Sequence, residues 1–298
     1  MLNGFDAEDS RQAPLAGDNA PGAVVEGKFA CLKAILNDMG SVLVAFSGGV
    51  DSTFLLKVAC DVLGDRAAAI TATSPTYPER EFDEAKTLAS LIGARHIVVE
   101  SNELLIPNFS GNTEKRCYYC KTELFSISRS EAARLGYSHV VDGFNADDLK
   151  DFRPGHAAAE ELRVRSPLCE AGMAKHEIRA LSRALGLPTW DKPNMACLSS
   201  RFPYGTEITL QRLEMVGEAE EFLRGLGLRQ FRVRYHDGIA RIEVDGAGFA
   251  ILLDAAVRAS VAGRLKALGF TYVTIDIEGY RTGSMNEGLQ TGTALKAL

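Results

Sequence analysis

A short apolar run that enters a glycine turn, followed by a helical pattern, most constrains how this chain folds. The run is VLVAF at 42–46, and the helical pattern covers 52–63. A continuous apolar run of this length is typical of a parallel strand that is buried on both faces. Parallel strands need long crossover connections, which are usually helices. The segment is therefore predicted to be one strand–turn–helix unit of an α/β sheet.

The same alternation of strand and helix patterns continues to about residue 143. Strands are predicted at AAAITAT, HIVVE and HVVDG, and helices at 79–92 and 118–135. This order predicts a doubly wound parallel sheet. Ligands of such sheets lie at the carboxyl ends of the strands, so the segments after Phe46, Thr73 and Val141 are expected to form one site.

The pattern changes after Gly205 and predicts a smaller α+β domain. A helix at 209–226 precedes two strands with period-two alternation, RQFRVRYH and IARIEV, then a helix at 248–268 and a strand TYVTIDI. Asp237 and Gly238, between the alternating strands, predict a hairpin. The predicted organisation is a disordered tail at 1–25, an α/β domain at 26–204, an α+β domain at 205–285 and a flexible tail at 286–298.

Composition and charge narrow the classes of function. The 298 residues are 46% hydrophobic and 24% charged, which allows a sizeable core. The sequence shows neither an apolar run of about 18 residues, as a membrane span needs, nor a signal-peptide pattern. We therefore expect a cytoplasmic protein without a membrane partner. The net charge of −6 argues against nucleic-acid binding, which needs clustered Lys and Arg.

The hexapeptide SGGVDS, between the first predicted strand and helix, predicts an anion site. Its glycines let backbone amides close on a phosphate, and the helix start adds N–H groups and a positive dipole end. Ser47, Ser52 and Thr53 add hydroxyl donors. A plain turn with Asp51 or Ser52 as the helix N-cap is the alternative. The run has neither the Gly-Lys-Ser/Thr ending of a Walker A loop nor the spacing of GxGxxG.

This hexapeptide resembles the PP-loop of N-type ATP pyrophosphatases, whose domains are adenine nucleotide alpha hydrolase-like. Members of that superfamily form an adenylated intermediate and release pyrophosphate. The resemblance implies that the chain uses ATP and Mg²⁺, with the loop on the pyrophosphate and two later strand ends near the AMP. The implied ATP-binding residues are Ser47, Gly48, Gly49, Asp51, Ser52, Ser74 and Gly143.

Three of the six cysteines stand in positions that suggest chemistry. Cys117 and Cys120 form a CxxC unit, and Cys197 lies in MACLSSRFPYG. Cysteines of a cytosolic chain are more often free, metal-bound or catalytic than paired in disulfides. A CxxC unit alone is two ligands short of a structural zinc site, and burial as small apolar residues is the alternative for all three. The others have no partner spacing and are interpreted as core or incidental residues: Cys31, Cys60 and Cys169.

Over about residues 30–285 the chain resembles the LarE family of ATP-dependent sacrificial sulfur transferases. The matching stretches are VAFSGGVDST, DGFNADDLKDFRPG, the Trp190-Asp-Lys segment, CLSSRFPYGTEIT, RVRYHDGIARIE and YVTIDIEGYRTGSMNE. The resemblance implies a small nucleotide substrate, pyridinium-3,5-biscarboxylic acid mononucleotide. Its carboxylates are adenylated and converted to thiocarboxylates in nickel-pincer cofactor synthesis. A homo-oligomer is also implied, with a C-terminal domain for substrate binding, sulfur transfer and oligomerisation.

The resemblance leaves two sulfur sources open. In sacrificial members, which lack the CxxC, the cysteine at the position of Cys197 gives up its sulfur and becomes dehydroalanine. With Cys117 and Cys120 the chain looks like the variant in which three cysteines hold a 4Fe-4S cluster and an external donor supplies sulfide. The cluster is the preferred expectation, ahead of the sacrificial cysteine and of a zinc or disulfide role for the CxxC. Nearby cations favour the thiolates: Arg116, Lys121 and Arg201.

Two arginines of a predicted strand form a candidate substrate clamp. Arg232 and Arg234 alternate and should share a face, and guanidinium groups bind phosphates and carboxylates bidentately. A solvated sheet edge is the alternative. The resemblance places Arg201 and Glu220 near the sulfur-transfer site, so the predicted catalytic residues are these two and Cys197. One acidic group is either metal-facing or a solvated loop: Asp147, Asp148 and Asp151.

Three other functions share parts of this pattern. An amidating synthetase uses the same loop but needs ammonia and no cysteines. A tRNA thiolase shares the loop and the three-cysteine logic, but this acidic chain has no evident RNA-binding module. A nucleotide-binding sensor would bind ATP without releasing pyrophosphate.

Overall fold

The first domain is built on a four-stranded sheet in which every strand pairing is parallel. The computed structural model describes residues 22–150, 154–193, 196–281 and 283–286. The strands are β1 (Val42–Ala45), β2 (Ala67–Thr73), β3 (Arg95–Glu100) and β4 (His139–Val141). Their order in the sheet is β3-β2-β1-β4. This arrangement confirms the predicted doubly wound parallel sheet.

Helices connect these strands and follow the last one. The described helices of the domain are α1 (Ala23–Met39), α2 (Val50–Leu63), α3 (Glu79–Ile92), α4 (Arg116–Leu135), α5 (Pro154–Glu161), α6 (Pro167–Glu170) and α7 (Lys175–Ala184). Residues 23–25, predicted as part of the N-terminal tail, belong to α1, and Asn286, predicted as the start of the C-terminal tail, ends a 3₁₀ turn, Ser284–Asn286. The remainder of both predicted tails, 1–21 and 287–298, lies outside the described residues, as does Asp151.

Alternating side chains of the strands enter two cores, one on each face of the sheet. Val42 and Val44 of β1 pack into the core that α1, α2, α3 and α7 cover. Leu43, between them, packs on the other face with Phe125 of α4 and Ala159 of α5. Burial on both faces explains why β1 is apolar along its whole length.

The second domain is a three-stranded sheet with three helices. The strands are β5 (Phe231–His236), β6 (Ile239–Val244) and β7 (Tyr272–Ile275), and the helices are α8 (Leu210–Gly225), α9 (Gly246–Leu253) and α10 (Ala255–Ala267). Strand β6 is central, antiparallel to β5 and parallel to β7. Asp237 and Gly238 both have positive φ, 45° and 85°, as a two-residue type I′ turn requires. The predicted hairpin is present.

The predicted helix at 248–268 is wrong in one respect, because it is two helices. Helices α9 and α10 meet at an angle of 92°. The break is at Asp254, whose extended backbone and carboxylate cap α10 by accepting from the N–H groups of Ala256 (2.9 Å) and Val257 (3.0 Å). A side chain that caps a new helix favours starting it there over continuing the old one.

The two domains share apolar packing. The core of the second domain takes in Phe109, which follows β3, and Leu198 and Phe202, which precede the predicted boundary at 205. The segments carrying the three candidate cysteines are therefore close to the contact between the two domains.

Among the described helices, no single one has the length and apolar character to cross a membrane. The pair α9 and α10 meets that criterion only when both are counted across their sharp bend.

Candidate active site

The SGGVDS loop joins β1 to α2 and has the form of an anion site. Helix α2 begins at Val50, with Gly49 as its N-cap and without a side chain bonded to the cap. The helix therefore starts two residues before its predicted start, and the alternative in which Asp51 or Ser52 is the N-cap is wrong. The Ser52 hydroxyl accepts from the Ser47 N–H at 3.3 Å, which closes the loop on itself. Helix-start N–H groups attract anions when no side chain caps them.

Two glycines allow close approaches at this loop. Gly48 has a φ of 66°, and a Cβ there would lie 3.2 Å from the Cα of Ala85 on α3. Gly143 follows β4, and a Cβ there would lie 3.0 Å from the Ser52 nitrogen. The structure therefore brings Gly143 against the loop, as sequence reasoning expected of a strand end.

Asp51 lies in the first turn of α2 and forms an ion pair with Lys175, the first residue of α7. Its Oδ1 is buried and has no hydrogen-bond partner among the described residues. Burial raises the pKa of Asp51, although the adjacent Lys175 acts in the opposite direction. A carboxylate oxygen without a donor is the kind of ligand that Mg²⁺ takes, so this side chain fits the metal that the resemblance implies.

Ser74 lies just after β2, at the mouth of a cleft of about 780 Å³. Its hydroxyl is 3.2 Å from that of Thr76. The cleft lies at the carboxyl ends of β2 and β3 and has the size of a small-ligand pocket. Its lining residues are Thr73, Ser74, Glu100, Ser101, Asn102, Leu105, Ile106, Pro107 and Glu123.

The three candidate cysteines lie on two segments of the chain. Arg116 connects these segments by hydrogen bonds. Cys117 and Cys120 lie at the start of α4, and Cys197 immediately precedes a short 3₁₀ turn, Leu198–Arg201. Arg116 donates to the carbonyl of Ser199 at 2.8 Å and to the Cys117 sulfur at 3.8 Å. Cys197 is exposed, whereas the other two are partly buried.

The pKa values of Cys120 and Arg116 are shifted by neighbouring cysteines. Burial raises the pKa of the Cys120 thiol, and Cys197 and Glu103 raise it further. Burial alone would lower the pKa of Arg116, but Cys197 and Cys117 raise it above its ordinary value. Each effect requires proximity, so Cys197 lies near Cys120, and Cys197 and Cys117 both lie near Arg116.

Within the described residues, no group of three His, Cys, Asp or Glu side chains is arranged to hold one metal ion. Thiolates on a four-iron cluster each bind a different iron, so they stand farther apart than the ligands of one ion. Three thiols are the ligand chemistry that such a cluster takes, so the residue types fit the group that the resemblance implies.

Arg201 and Glu220 form a buried ion pair beside Cys197. Arg201 Nε donates to Oε1 at 2.8 Å and Nη2 to Oε2 at 2.7 Å. Its Nη1 donates to the carbonyls of Ala196 (2.6 Å) and Cys197 (3.0 Å). Glu220 Oε1 also accepts from the backbone N–H of Val233 at 3.0 Å. The pair therefore connects the Cys197 backbone to α8 and β5.

The two arginines of the predicted clamp have different surroundings. Arg234 is buried and donates to Glu243 at 2.7 Å, to Ser284 Oγ at 3.1 Å and to the Ser200 carbonyl at 2.9 Å. It therefore holds β5, β6 and the turn after Cys197 together. The alternative of a solvated sheet edge does not describe this buried side chain.

Arg232 is half-buried and lies over the ring of Tyr280, 5.2 Å from its centre. Burial lowers the pKa of its guanidinium, and the nearby Arg201 lowers it further. A bound anion between these two guanidinium groups would offset their mutual repulsion. Of the two clamp residues, Arg232 has the surroundings of an anion ligand.

Two carboxylates of the acidic loop after β4 accept hydrogen bonds from backbone N–H groups. Asp147 Oδ2 accepts from the N–H of Lys175 at 2.9 Å, and Asp148 Oδ2 accepts from the N–H of Asn145 at 3.1 Å. These contacts hold the start of α7, and with it Lys175, near Asp51.

Comparisons with known proteins identify the family. No family model matches the chain. A pyridinium-3,5-bisthiocarboxylic acid mononucleotide synthase of Lactiplantibacillus plantarum is 42% identical over 268 residues, which is 90% of this chain and 96% of the relative. The chain belongs to the LarE family.

Other relatives extend the comparison. An uncharacterised protein of Synechocystis is 46% identical to this LarE-family chain over 89% of the chain and 99% of the relative. A tRNA-specific 2-thiouridylase of Azorhizobium caulinodans is 28% identical over 78% of the chain and 73% of the relative. Use of ATP by way of a PP-loop is common to this superfamily.

Sequence reasoning missed several residues that contact the candidate site of this LarE-family chain. Lys175 reaches Asp51 from α7, for which no helix was predicted. Lys192 donates to the carbonyl of Gly48 at 3.2 Å, yet its segment was noted only as a matching stretch. Glu243, the buried partner of Arg234, belongs to a predicted strand but carries no motif. Contacts between distant segments leave no local signal in a sequence.

Proposed function

We propose that this chain is a pyridinium-3,5-bisthiocarboxylic acid mononucleotide synthase, an ATP-dependent sulfur transferase of nickel-pincer cofactor synthesis. One observation carries the proposal: the exposed Cys197 is held through its carbonyl by the buried Arg201, in a chain that also has an anion loop. A group that can deliver sulfur and a loop for pyrophosphate are the two parts that this reaction needs. The relative that bears this name covers nearly the same length.

In the first step a substrate carboxylate oxygen attacks the α-phosphorus of ATP. The bond between the α-phosphate and pyrophosphate breaks, leaving an acyl adenylate. The loop serines Ser47 and Ser52 and the start of α2 bind the pyrophosphate, while Ser74 and Gly143 lie near the AMP. Asp51 would hold Mg²⁺, which neutralises phosphate charge when bound.

In the second step sulfur replaces AMP at the acyl carbon. A thiolate at Cys197 is a competent nucleophile for an acyl adenylate. In the sacrificial route this attack gives a thioester and releases AMP. Loss of the Cys197 Cα proton then breaks its Cβ–S bond, which leaves dehydroalanine on the protein and the thiocarboxylate on the substrate.

The CxxC favours a second route in which the protein turns over. Cys117, Cys120 and Cys197 would hold a 4Fe-4S cluster, and the proximity of Cys197 to Cys120, and of Cys117 and Cys197 to Arg116, supports this set of ligands. When bound, such a cluster would carry sulfur from an external sulfide donor to the acyl adenylate. Arg116 and Arg201 keep positive charge beside the thiolates in either route.

The substrate carries a phosphate and two carboxylates, so its site must be cationic. Arg232 supplies a guanidinium next to Arg201 and on the same strand as Arg234. We assign Arg232 to direct substrate binding and Arg234 to holding the turn at Ser200. The homo-oligomer that the resemblance implies stays a prediction, which light scattering on the purified protein tests.

Iron and acid-labile sulfide content, measured on protein reconstituted without oxygen, distinguishes the two sulfur routes. The proposal predicts about four irons per chain, with a visible absorption band that Cys117→Ala removes and Cys31→Ala leaves. Cys31 is exposed on α1 and is the matched control. Absence of iron, together with mass loss at Cys197 after one turnover, would establish the sacrificial route instead.

The alternative functions have weaker support. The thiouridylase relative is more distant and is matched over a smaller share of both chains. A GMP synthase subunit of Thermoplasma volcanium, which represents the amidating class, is 25% identical over 52% of this chain. Pyrophosphate release that requires the pyridinium dicarboxylate would separate the proposed function from these classes and from an ATP sensor.

A further inference from the structure

The phosphate loop lacks a cation of its own. A Walker A loop carries its lysine within the motif, whereas SGGVDS contains only Asp51 as a charged group. Pyrophosphate leaves with about four negative charges, of which one Mg²⁺ neutralises two. The remaining charge has to be met by side chains that other segments bring to the loop.

Lys192 is such a side chain. Its ammonium group donates to the carbonyl of Gly48 at 3.2 Å and to Oε2 of Glu84 at 2.7 Å. Its side chain is only 18% exposed. The ammonium therefore lies one hydrogen bond from the loop backbone and is screened from bulk water, which strengthens its field at the loop.

The backbone around Lys192 is fixed in place. Arg179, on α7, donates to the carbonyl of Trp190 at 2.7 Å and to the carbonyl of Lys192 at 2.7 Å. Arg183, one turn further along α7, lies 4.9 Å from the centre of the Trp190 ring. Helix α7 also begins with Lys175, so one helix positions both lysines that contact the loop.

The ion pair between Lys192 and Glu84 can be exchanged at low cost. Glu84 is 36% exposed and also accepts from Arg80 at 3.0 Å. Ion pairs at such exposure contribute little to stability. Arg80 remains a partner for Glu84 when the lysine moves, and four rotatable bonds let the ammonium reach across the loop.

Resting on the proposed function, we propose that Lys192 is a catalytic residue of the adenylation step. Its ammonium moves from Glu84 to the β- and γ-phosphates of ATP and stays on the pyrophosphate as the α-phosphate bond breaks. No proton is transferred. The lysine keeps its positive charge throughout and stabilises the negative charge that develops on the leaving group. Glu84 holds the lysine ready when the site is empty.

Binding of Mg·pyrophosphate and of AMP, measured by calorimetry on the full chain, tests this role directly. We expect Lys192→Met to weaken Mg·pyrophosphate binding by about tenfold or more, the effect of losing a charge-assisted hydrogen bond. AMP binding stays unchanged, and Lys192→Arg recovers part of the pyrophosphate affinity. In substrate-dependent pyrophosphate release, Lys192→Met should lower kcat by roughly 10²-fold.

Glu84→Gln distinguishes a phosphate ligand from a structural ion pair, because it breaks the same pair from the other side. It should leave Mg·pyrophosphate affinity unchanged or raise it, since it frees the lysine. Lys86→Met, on the same helix with an exposed lysine paired to Asp83, is the matched control. Equal losses from Lys192→Met and Glu84→Gln, or unchanged pyrophosphate affinity in Lys192→Met, would overturn the assignment. A wild-type chain that binds Mg·pyrophosphate but shows no release with the dicarboxylate would contradict the proposed function, while loss of Mg·pyrophosphate affinity in Lys192→Met would still identify Lys192 as a pyrophosphate ligand.

Discussion

Arg201 Nη1 donates to the carbonyl oxygen of Cys197 at 3.0 Å while the same guanidinium is paired with Glu220. The position of the sulfur residue is thereby linked to a carboxylate on the long helix of the other domain. Both side chains are nearly inaccessible, at 5% and 6% exposure. A buried pair contributes little net stability against apolar replacements but is costly to break from one side.

We therefore predict that Glu220→Ala destabilises the protein, because it leaves Arg201 buried without its carboxylate. The expected loss in the free energy of unfolding is about 3 kcal/mol. Sulfur transfer should fall further than pyrophosphate release, since Cys197 loses its anchor and the loop does not. Urea unfolding and the two activity assays measure these effects, with the exposed Glu218→Ala as the control. Equal stability of both variants would contradict the role of the pair.

The same pair predicts a dependence of stability on pH. Burial alone would raise the pKa of Glu220, but Arg201 and the Val233 N–H hold it below its ordinary value. A lowered folded-state pKa means that the stabilisation is complete above the unfolded value of about 4.3 and is lost as the pH falls through the folded value. Wild type should therefore lose more stability below about pH 4 than Glu220→Gln. Parallel acid profiles of the two proteins would contradict this.

Cys197→Ala should abolish sulfur transfer and spare the substrate-dependent release of pyrophosphate. Both sulfur routes use this thiol, whereas the phosphate loop is a separate segment that joins β1 to α2. Cys31→Ala, also exposed, should retain both activities. Mass spectrometry of the product and a coupled pyrophosphate assay provide the two measurements. Thiocarboxylate formation by Cys197→Ala would exclude both routes.

Arg232→Ala and Arg234→Ala should have different effects. Arg234→Ala removes a partner of the fully buried Glu243, so the free energy of unfolding should fall by about 3 kcal/mol. Arg232→Ala should keep its stability and raise the KM for the dicarboxylate at least tenfold, while the KM for ATP changes little. Thermal unfolding and steady-state kinetics separate the two. A similar loss of stability in both would argue against a substrate role for Arg232.

Asp51→Asn should lower the rate of pyrophosphate release by roughly 10²-fold, because we propose that its buried, unpartnered Oδ1 binds Mg²⁺. Raising the Mg²⁺ concentration should restore part of the rate. Asp61→Asn, on the same helix and paired with Lys57, is the control and should behave as wild type. Wild-type kinetics of Asp51→Asn at low Mg²⁺ would remove Asp51 from the metal site.

Much of the fold was predictable because its signals are local. Strand β1 is apolar throughout because both of its faces are buried. The turn at Asp237 and Gly238 has positive φ at both residues, a backbone geometry that favours the Asp-Gly pair. The helices between β4 and residue 205 were not predicted, although this region was assigned to the α/β domain. Helix α6 has only four residues, too few for a helical period to show, and α5 is mostly small and charged residues without an apolar stripe.

The candidate site was predictable only where a motif stands in one stretch of sequence. SGGVDS and the CxxC unit are such stretches. Lys192 contacts Gly48, and Arg234 contacts Glu243. Each contact joins separate segments, and the sequence of one segment does not identify its partner. Whether an arginine binds a ligand or a buried glutamate is decided by packing, which a period-two pattern does not contain.

The central claim is that one chain both adenylates the dicarboxylate and delivers sulfur to it. The most direct measurement incubates the purified protein with Mg·ATP and pyridinium-3,5-biscarboxylic acid mononucleotide, with and without added sulfide. Pyrophosphate and product mass are then followed together. We predict pyrophosphate release that depends on the dicarboxylate, accompanied by a product in which sulfur replaces a carboxylate oxygen. Pyrophosphate release without any thiocarboxylate, under both conditions, would contradict the claim.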